Sequence, residues 1–159
     1  MQILLVRHAI ASASSPSGHD AERALTAEGR VEFEQVASAL AARGCRPELV
    51  LHSPLVRARE TAEILSTALS VPLQPCPELA DAPTAELLAE LRTRSVALVG
   101  HEPWISALAA WLVTGRRELG PMFPFERGGC ALLEGRPVPG EARLVAFLPP
   151  WALLSGPAR

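Results

Sequence analysis

The chain has 159 residues, 48% of them hydrophobic and 20% charged, with a formal net charge of −2. That length suits one domain over residues 1–159, with a core that needs no disulfide or metal staple. The small net charge argues against nucleic acid as a partner, no apolar run is long enough for a membrane span, and the N-terminus does not read as a signal peptide, so a soluble cytoplasmic protein is expected.

Ile3–Val6 is a continuous apolar run, as expected for a strand covered on both faces. Ser12–Ala24 is a polar loop with Pro16 and Gly18. Thr26 can cap a helix that carries Glu28 in its first turn, shows Phe33, Val36, Ala37 and Leu40 at helical spacing, and stops at Gly44. Leu49–Leu51 reads as a second strand. Ser53 is then the expected N-cap, with Pro54 at the first helical position and an inner stripe of Ala58, Ala62, Leu65 and Leu69. Val71–Gln74 is a weaker third strand, cut off by Pro75 and Pro77, and Thr84–Arg92 a short Thr-capped helix. Val96–Val99 is a fourth, apolar strand ended by Gly100 and His101, after which Pro103 starts a helix with Ile105, Leu108, Ala109 and Leu112 inward. Gly115–Gly129 reads as a long loop, Cys130–Leu133 and Leu144–Leu148 as two closing strands, and the tail after Pro149 as irregular. Strands alternating with helices predict a three-layer α/β/α sandwich on a mostly parallel sheet.

Cys45, Cys76 and Cys130 are scattered, which suggests neither a disulfide framework nor a metal site. All fifteen basic residues are arginine, so Schiff-base lysine chemistry is excluded, and the lack of tyrosine excludes a catalytic phenol.

In open α/β sheets, ligands bind outside the carboxyl ends of the strands. The first strand ends in Arg7 and His8, the second in His52 and Ser53 with Arg57 one turn into the next helix, and the fourth in His101 and Glu102. If these strands run parallel, Arg7, Arg57, His8 and His101 reach one edge. Guanidinium groups fork onto phosphate oxygens, and a neutral imidazole can attack phosphorus. Metal-free phosphoryl transfer requires a nucleophile and fixed positive charge, and these side chains supply both. His52, placed before the cap, and His19, in the polar loop, read as structural or surface residues. Arg57 and Arg59 cannot face the same way on one helix.

"LVRHA", "SPLVRARET" and "GHEPWI", at the ends of the first, second and fourth strands, resemble the histidine phosphatase superfamily, whose fold is that of phosphoglycerate mutase. "ERALTAEGR" (Glu22 to Arg30) and "PMF" (Pro121 to Phe123) are similar to segments of its SixA phosphohistidine phosphatase branch. The resemblance implies that His8 is the nucleophile that becomes phosphorylated, that Arg7 and Arg57 clamp the phosphoryl oxygens, and that His101 completes the pocket. It implies substrate-side roles for Arg23 and for Ser53, whose simpler role is the helix cap. It implies no cofactor.

There are departures. Ala9 stands where much of the superfamily has glycine, and its methyl is expected to narrow the approach to phosphate. Glu78 takes the place of the general acid of mutase-like members, with Asp81 nearby, although a solvated loop carboxylate is the simpler reading of Glu78. Only one short helix separates the third and fourth strands, so no large cap insertion is expected and the pocket should be open. The leading expectation is a metal-independent phosphatase acting through a phosphohistidine intermediate. Its substrate is then phosphohistidine on a protein, such as a phosphotransfer domain of a signalling relay. The alternatives are hydrolysis of a small phosphate ester on the same scaffold, and a weakly catalytic module that binds phosphoproteins.

Overall fold

A computed structural model describes residues 1–91 and 94–154. The strands are β1 (Gln2–Arg7), β2 (Leu49–His52), β3 (Leu73–Pro75), β4 (Val96–Gly100), β5 (Cys130–Gly135) and β6 (Ala142–Leu148). The helices are α1 (Ala27–Ala42), α2 (Val56–Leu69), α3 (Ala85–Glu90), α4 (Trp104–Thr114) and α5 (Pro150–Leu154). One six-stranded sheet runs in the order β3-β2-β4-β1-β5-β6. The β1–β4, β2–β4 and β2–β3 pairs are parallel, and β5 is antiparallel to both of its neighbours. The expected mostly parallel three-layer sandwich is what forms.

Burial explains the apolar runs. Ile3, Leu5, Val96 and Leu98 face the layer built by α3 and α4, and Leu4, Val6, Ala97 and Val99 face α1, α2 and α5. Both faces of the central strands are therefore dry, and polar residues are confined to their ends. Thr26 Oγ1 accepts the Gly29 N–H at 2.9 Å and Thr84 Oγ1 accepts the Leu87 N–H at 3.3 Å, so both threonine caps form as the sequence predicts.

Several boundaries differ. α2 starts at Val56 with Leu55 as its N-cap, so Ser53 does not cap it. α3 ends at Glu90, and Arg92, the expected end of that helix, lies outside the described residues. The expected loop from Gly115 to Gly129 contains a 3₁₀ turn at Arg117–Met122. β6 begins at Ala142, two residues before the expected Leu144. The tail is not wholly irregular, since Pro150 opens the short α5. Between β3 and β4 the described residues hold only a 3₁₀ turn at Pro77–Ala80 and α3, with no large insertion. Among the described residues, no helix is long and apolar enough to cross a membrane.

Register positions the edge of interest. Arg7 pairs with Gly100, and His52 pairs with Val99. Beyond the last rungs, the His8 N–H donates to the Gly100 carbonyl at 3.0 Å and the Ser53 N–H to the Val99 carbonyl at 3.1 Å. The carboxyl ends of β1, β4 and β2 thus lie side by side.

Candidate active site

Four of the predicted residues meet at this edge: Arg7, His8, Arg57 and His101. The His8 and His101 rings are 5.2 Å apart between centroids, tilted by 50°. Both rings are buried, and so is Arg57. His8 Nδ1 lies 2.8 Å from the Ala9 carbonyl oxygen. A carbonyl can only accept, so Nδ1 carries the proton and Nε2 keeps its lone pair. Burial, together with the charges of His101, Arg57 and Arg7, outweighs that hydrogen bond and pushes the His8 pKa down to about 3. His101 is pushed down to about 4, by burial first and then by the Arg57 charge. Both imidazoles are therefore neutral at physiological pH.

The loop after β1 is tied to the start of α2 by Thr61. Thr61 Oγ1 accepts the Ala9 N–H at 3.0 Å and donates to the Arg57 carbonyl at 2.7 Å. Ala9 is 1% exposed and packs in the apolar core on the α1 and α2 face. Its methyl is thus a core group and does not narrow the approach to phosphate. Gly29, in the "ERALTAEGR" segment, stands where the chain leaves no room for a side chain. A Cβ there would stand 2.2 Å from the Ile10 carbonyl oxygen, so only glycine lets α1 approach the residues that follow His8. The Thr26 N–H donates to that same carbonyl at 3.0 Å.

The Ser53 hydroxyl lies 2.6 Å from His101 Nε2 and also accepts the Leu55 N–H at 3.3 Å. The residue expected to cap the helix therefore orients the second histidine. Arg57 donates Nη1 to the Asp20 carbonyl at 2.8 Å and Nη2 to Asp20 Oδ2 at 3.0 Å. Asp20 Oδ1 in turn lies 2.8 Å from Arg23 Nε, and Arg23 Nη1 donates to the Ser12 carbonyl at 2.9 Å. Slight desolvation pushes the Asp20 carboxyl up, but hydrogen bonds from Arg23 and Arg57 outweigh it and hold Asp20 below its ordinary value. Arg23 is close enough for its charge to depress His101. Arg59 points outward and pairs with Glu63 at 3.9 Å, as the helix phase predicts. His52 is buried, with Nδ1 at 2.8 Å from the Ser53 carbonyl, and serves the structure.

Glu78 and Asp81 line a small cleft with Gly100 and Trp104, and none of Arg7, His8, Arg57 and His101 lines it. Among the described residues, neither carboxyl group is hydrogen-bonded to Arg7, His8, Arg57 or His101. The Cys76 thiol donates to Glu78 Oε2 at 3.3 Å. Cys76, Glu78 and Glu90 bring their ligand atoms within 4.8 Å of one another, a group that sequence spacing does not reveal. Burial first, then the Glu78 hydrogen bond and charge, push the Cys76 thiol up to about 12, so the thiol is protonated and donates to Glu78.

Sequence reasoning placed Glu102 at the end of the fourth strand without a role, and missed Asp20, Thr61 and the Phe125 carbonyl, which accepts Arg7 Nη1 at 2.6 Å. Arg7 Nε, Arg57 Nε and His101 Nδ1 are buried and have no hydrogen-bond partner among the described residues. Buried polar groups without partners are costly in a folded chain; both Nε–H groups are donors, and His101 Nδ1 is one in the tautomer whose Nε2 accepts the Ser53 hydroxyl. A tetrahedral oxyanion can satisfy donors of this kind, and a neutral His8 beside it can attack its central atom.

Comparison with known proteins agrees with this chemistry. Residues 3–86 match the family model of the histidine phosphatase superfamily, branch 1. An uncharacterized protein of Picosynechococcus is 36% identical over 69% of this chain and 73% of its own. The phosphohistidine phosphatase SixA of Escherichia coli is 31% identical over 77% of this chain and 80% of its own. The solved structure of the protein histidine phosphatase SixA complexed with tungstate superposes with a TM-score of 0.83 at 27% identity, covering 96% of this chain and 99% of that one. The chain belongs to the histidine phosphatase superfamily, as a SixA-like phosphatase with the phosphoglycerate mutase-like fold.

Proposed function

We propose that this phosphatase removes the phosphoryl group from phosphohistidine on a cytoplasmic protein, through a covalent intermediate on His8 and without a metal. The observation that carries this reading is His8 itself. It is a buried, neutral imidazole whose Nδ1–H is held by the Ala9 carbonyl, and Arg7, Arg57 and His101 are all close enough to act on it electrostatically. In the first step the Nε2 lone pair attacks phosphorus, the phosphorus–nitrogen bond of the substrate breaks, and the leaving imidazole takes the electron pair. With its other nitrogen already protonated, that imidazole departs neutral. Positive charge that develops on His8 is shared with the Ala9 carbonyl through Nδ1–H. In the second step water attacks phosphorus, the bond to Nε2 breaks, its pair returns to His8, and the water's protons leave with the phosphate and to solvent. Arg7 and Arg57 hold the equatorial oxygens throughout and supply the positive charge that a metal would otherwise provide. His101, oriented by Ser53, donates to one of those oxygens, and Arg23 lies on the substrate side.

Phosphohistidine as the substrate is supported by the likeness to SixA and by the leaving group. An alkoxide needs an acid to protonate it, whereas an imidazole with a reference pKa of about 6.5 does not. A small phosphate ester is a second reading, favoured by Glu78 and Asp81, which share a cleft with Gly100, the residue before His101. Comparison of kcat/KM on phosphohistidine protein, sugar phosphates and nucleotides tests the two. The proposal requires phosphohistidine to be preferred, with Glu78→Gln costing less than about tenfold on it and more on any ester. Preference for an ester, or a Glu78→Gln enzyme inactive on phosphohistidine, supports the second reading.

A further inference from the structure

The strap from Phe123 to Gly129 grips Arg7 along its length. The Arg7 N–H donates to the Gly129 carbonyl at 3.0 Å, the Gly128 N–H reaches the Arg7 carbonyl at 3.1 Å, and Arg7 Nη1 donates to the Phe125 carbonyl at 2.6 Å. The strap is held in turn by Glu102 and by the first turn of α4. Glu102 Oε1 accepts the Phe125 N–H at 3.1 Å. The Ser106 hydroxyl lies 2.6 Å from the same carboxylate oxygen and 2.6 Å from the Phe123 carbonyl. The Phe125 ring is buried edge-on against Phe147, with centroids 4.9 Å apart. Both main-chain polar groups of Phe125 are thus committed, the N–H to Glu102 and the carbonyl to Arg7. Glu102 follows His101 directly, yet its carboxylate is bonded to the strap and not to the imidazoles. Its charge also offsets part of the burial that lowers the Arg7 pKa.

An arginine side chain has many rotamers to lose when it binds phosphate. Anchoring Nη1 on a carbonyl moves that loss from binding to folding, and the anchor is only as fixed as the residue that carries it. Without Glu102 the Phe125 N–H would be a buried donor with no partner, and the strap would shift to reach water. We propose that Glu102 is a positioning residue for phosphate binding, fixing the Arg7 guanidinium through the main chain of Phe125. This rests on the phosphatase reading of the site.

The test is orthovanadate affinity by calorimetry, with kcat and KM on the preferred substrate, for wild type, Glu102→Ala and Glu102→Gln, each with and without Arg7→Ala. Glu102→Ala should weaken orthovanadate roughly tenfold or more and raise KM more than it lowers kcat. Glu102→Gln should recover most of that loss, because its amide oxygen still accepts the Phe125 N–H. With Arg7 already removed, Glu102→Ala should cost less than about twofold, since the effect travels through Arg7. An equal loss with and without Arg7, a glutamine variant as impaired as alanine, or no loss in Glu102→Ala would overturn the proposal. If Glu102→Ala does not fold, Ser106→Ala takes its place in the same cycle, with a smaller loss that again vanishes without Arg7 and a refutation if it persists. A wild type that neither binds orthovanadate nor releases phosphate overturns the phosphatase reading itself, before any variant is compared.

Discussion

The Asp20 carboxylate lies 3.0 Å from Arg57 Nη2, and the main-chain carbonyl of the same residue takes Arg57 Nη1 at 2.8 Å. A buried cation is thus paired with an anion whose own side chain is 67% exposed. A phosphate dianion on Arg57 has to share that guanidinium with a neighbouring negative charge. Asp20→Asn should therefore lower the inhibition constant of inorganic phosphate by roughly two- to tenfold, the range expected for one solvent-facing charge near a surface. Weaker inhibition in the variant would show that Asp20 serves mainly to orient Arg57.

The two imidazoles make stability depend on pH. His8 and His101 are pushed down to about 3 and about 4 in the folded chain, against about 6.5 when unfolded. Below pH 6.5 the unfolded chain takes up protons that the folded chain refuses, so stability falls as pH drops toward the folded values. Each histidine contributes at most about 1.4 kcal/mol per pH unit in that window. Melting in phosphate-free buffer at pH 7.5 and 5.0 should show this decline, with a shallower decline in His8→Ala. Identical pH slopes in the two proteins would mean that His8 is not a buried neutral group.

Gly29 inverts an ordinary rule. Replacing a helical glycine by alanine normally stabilises by about 1 kcal/mol. Here the added methyl would stand 2.2 Å from the Ile10 carbonyl oxygen and 2.9 Å from the Ile10 Cβ. Overpacking against backbone costs about 1–3 kcal/mol. Gly29→Ala should thus lower Tm by roughly 2–10 °C and displace the chain just beyond His8, reducing kcat as well. An unchanged or higher Tm would show that α1 moves away freely.

The parts of this fold that were legible in the sequence are those governed by burial. β1 and β4 are dry on both faces, so they read as unbroken apolar runs, and the residues at their ends announced themselves as misplaced charges. Because β1, β4 and β2 are adjacent and parallel, listing their carboxyl ends was enough to bring Arg7, His8 and His101 together. What stayed hidden depends on single hydrogen bonds between distant residues. Ser53 before Pro54 carries the pattern of a helix cap, and nothing local says that its hydroxyl belongs to His101. Asp20 sits in a polar loop without periodicity, 37 residues before the arginine it holds. Glu102 and Phe125 are 23 residues apart and meet through a backbone N–H, which leaves no side-chain signature. The edge strand β6 alternates weakly between buried and exposed positions, so its first two residues carry no strand pattern in the sequence.

The central claim is that phosphate passes through a bond to His8 Nε2. It is tested most directly by rapidly quenching the enzyme with radiolabelled phosphohistidine protein and locating the label. The account predicts an acid-labile, alkali-stable label on His8 in the wild type, none in His8→Ala, and a loss in that variant of at least about three orders of magnitude in kcat. Turnover that persists in His8→Ala, or label trapped on another residue while His8 stays unmodified, would contradict it.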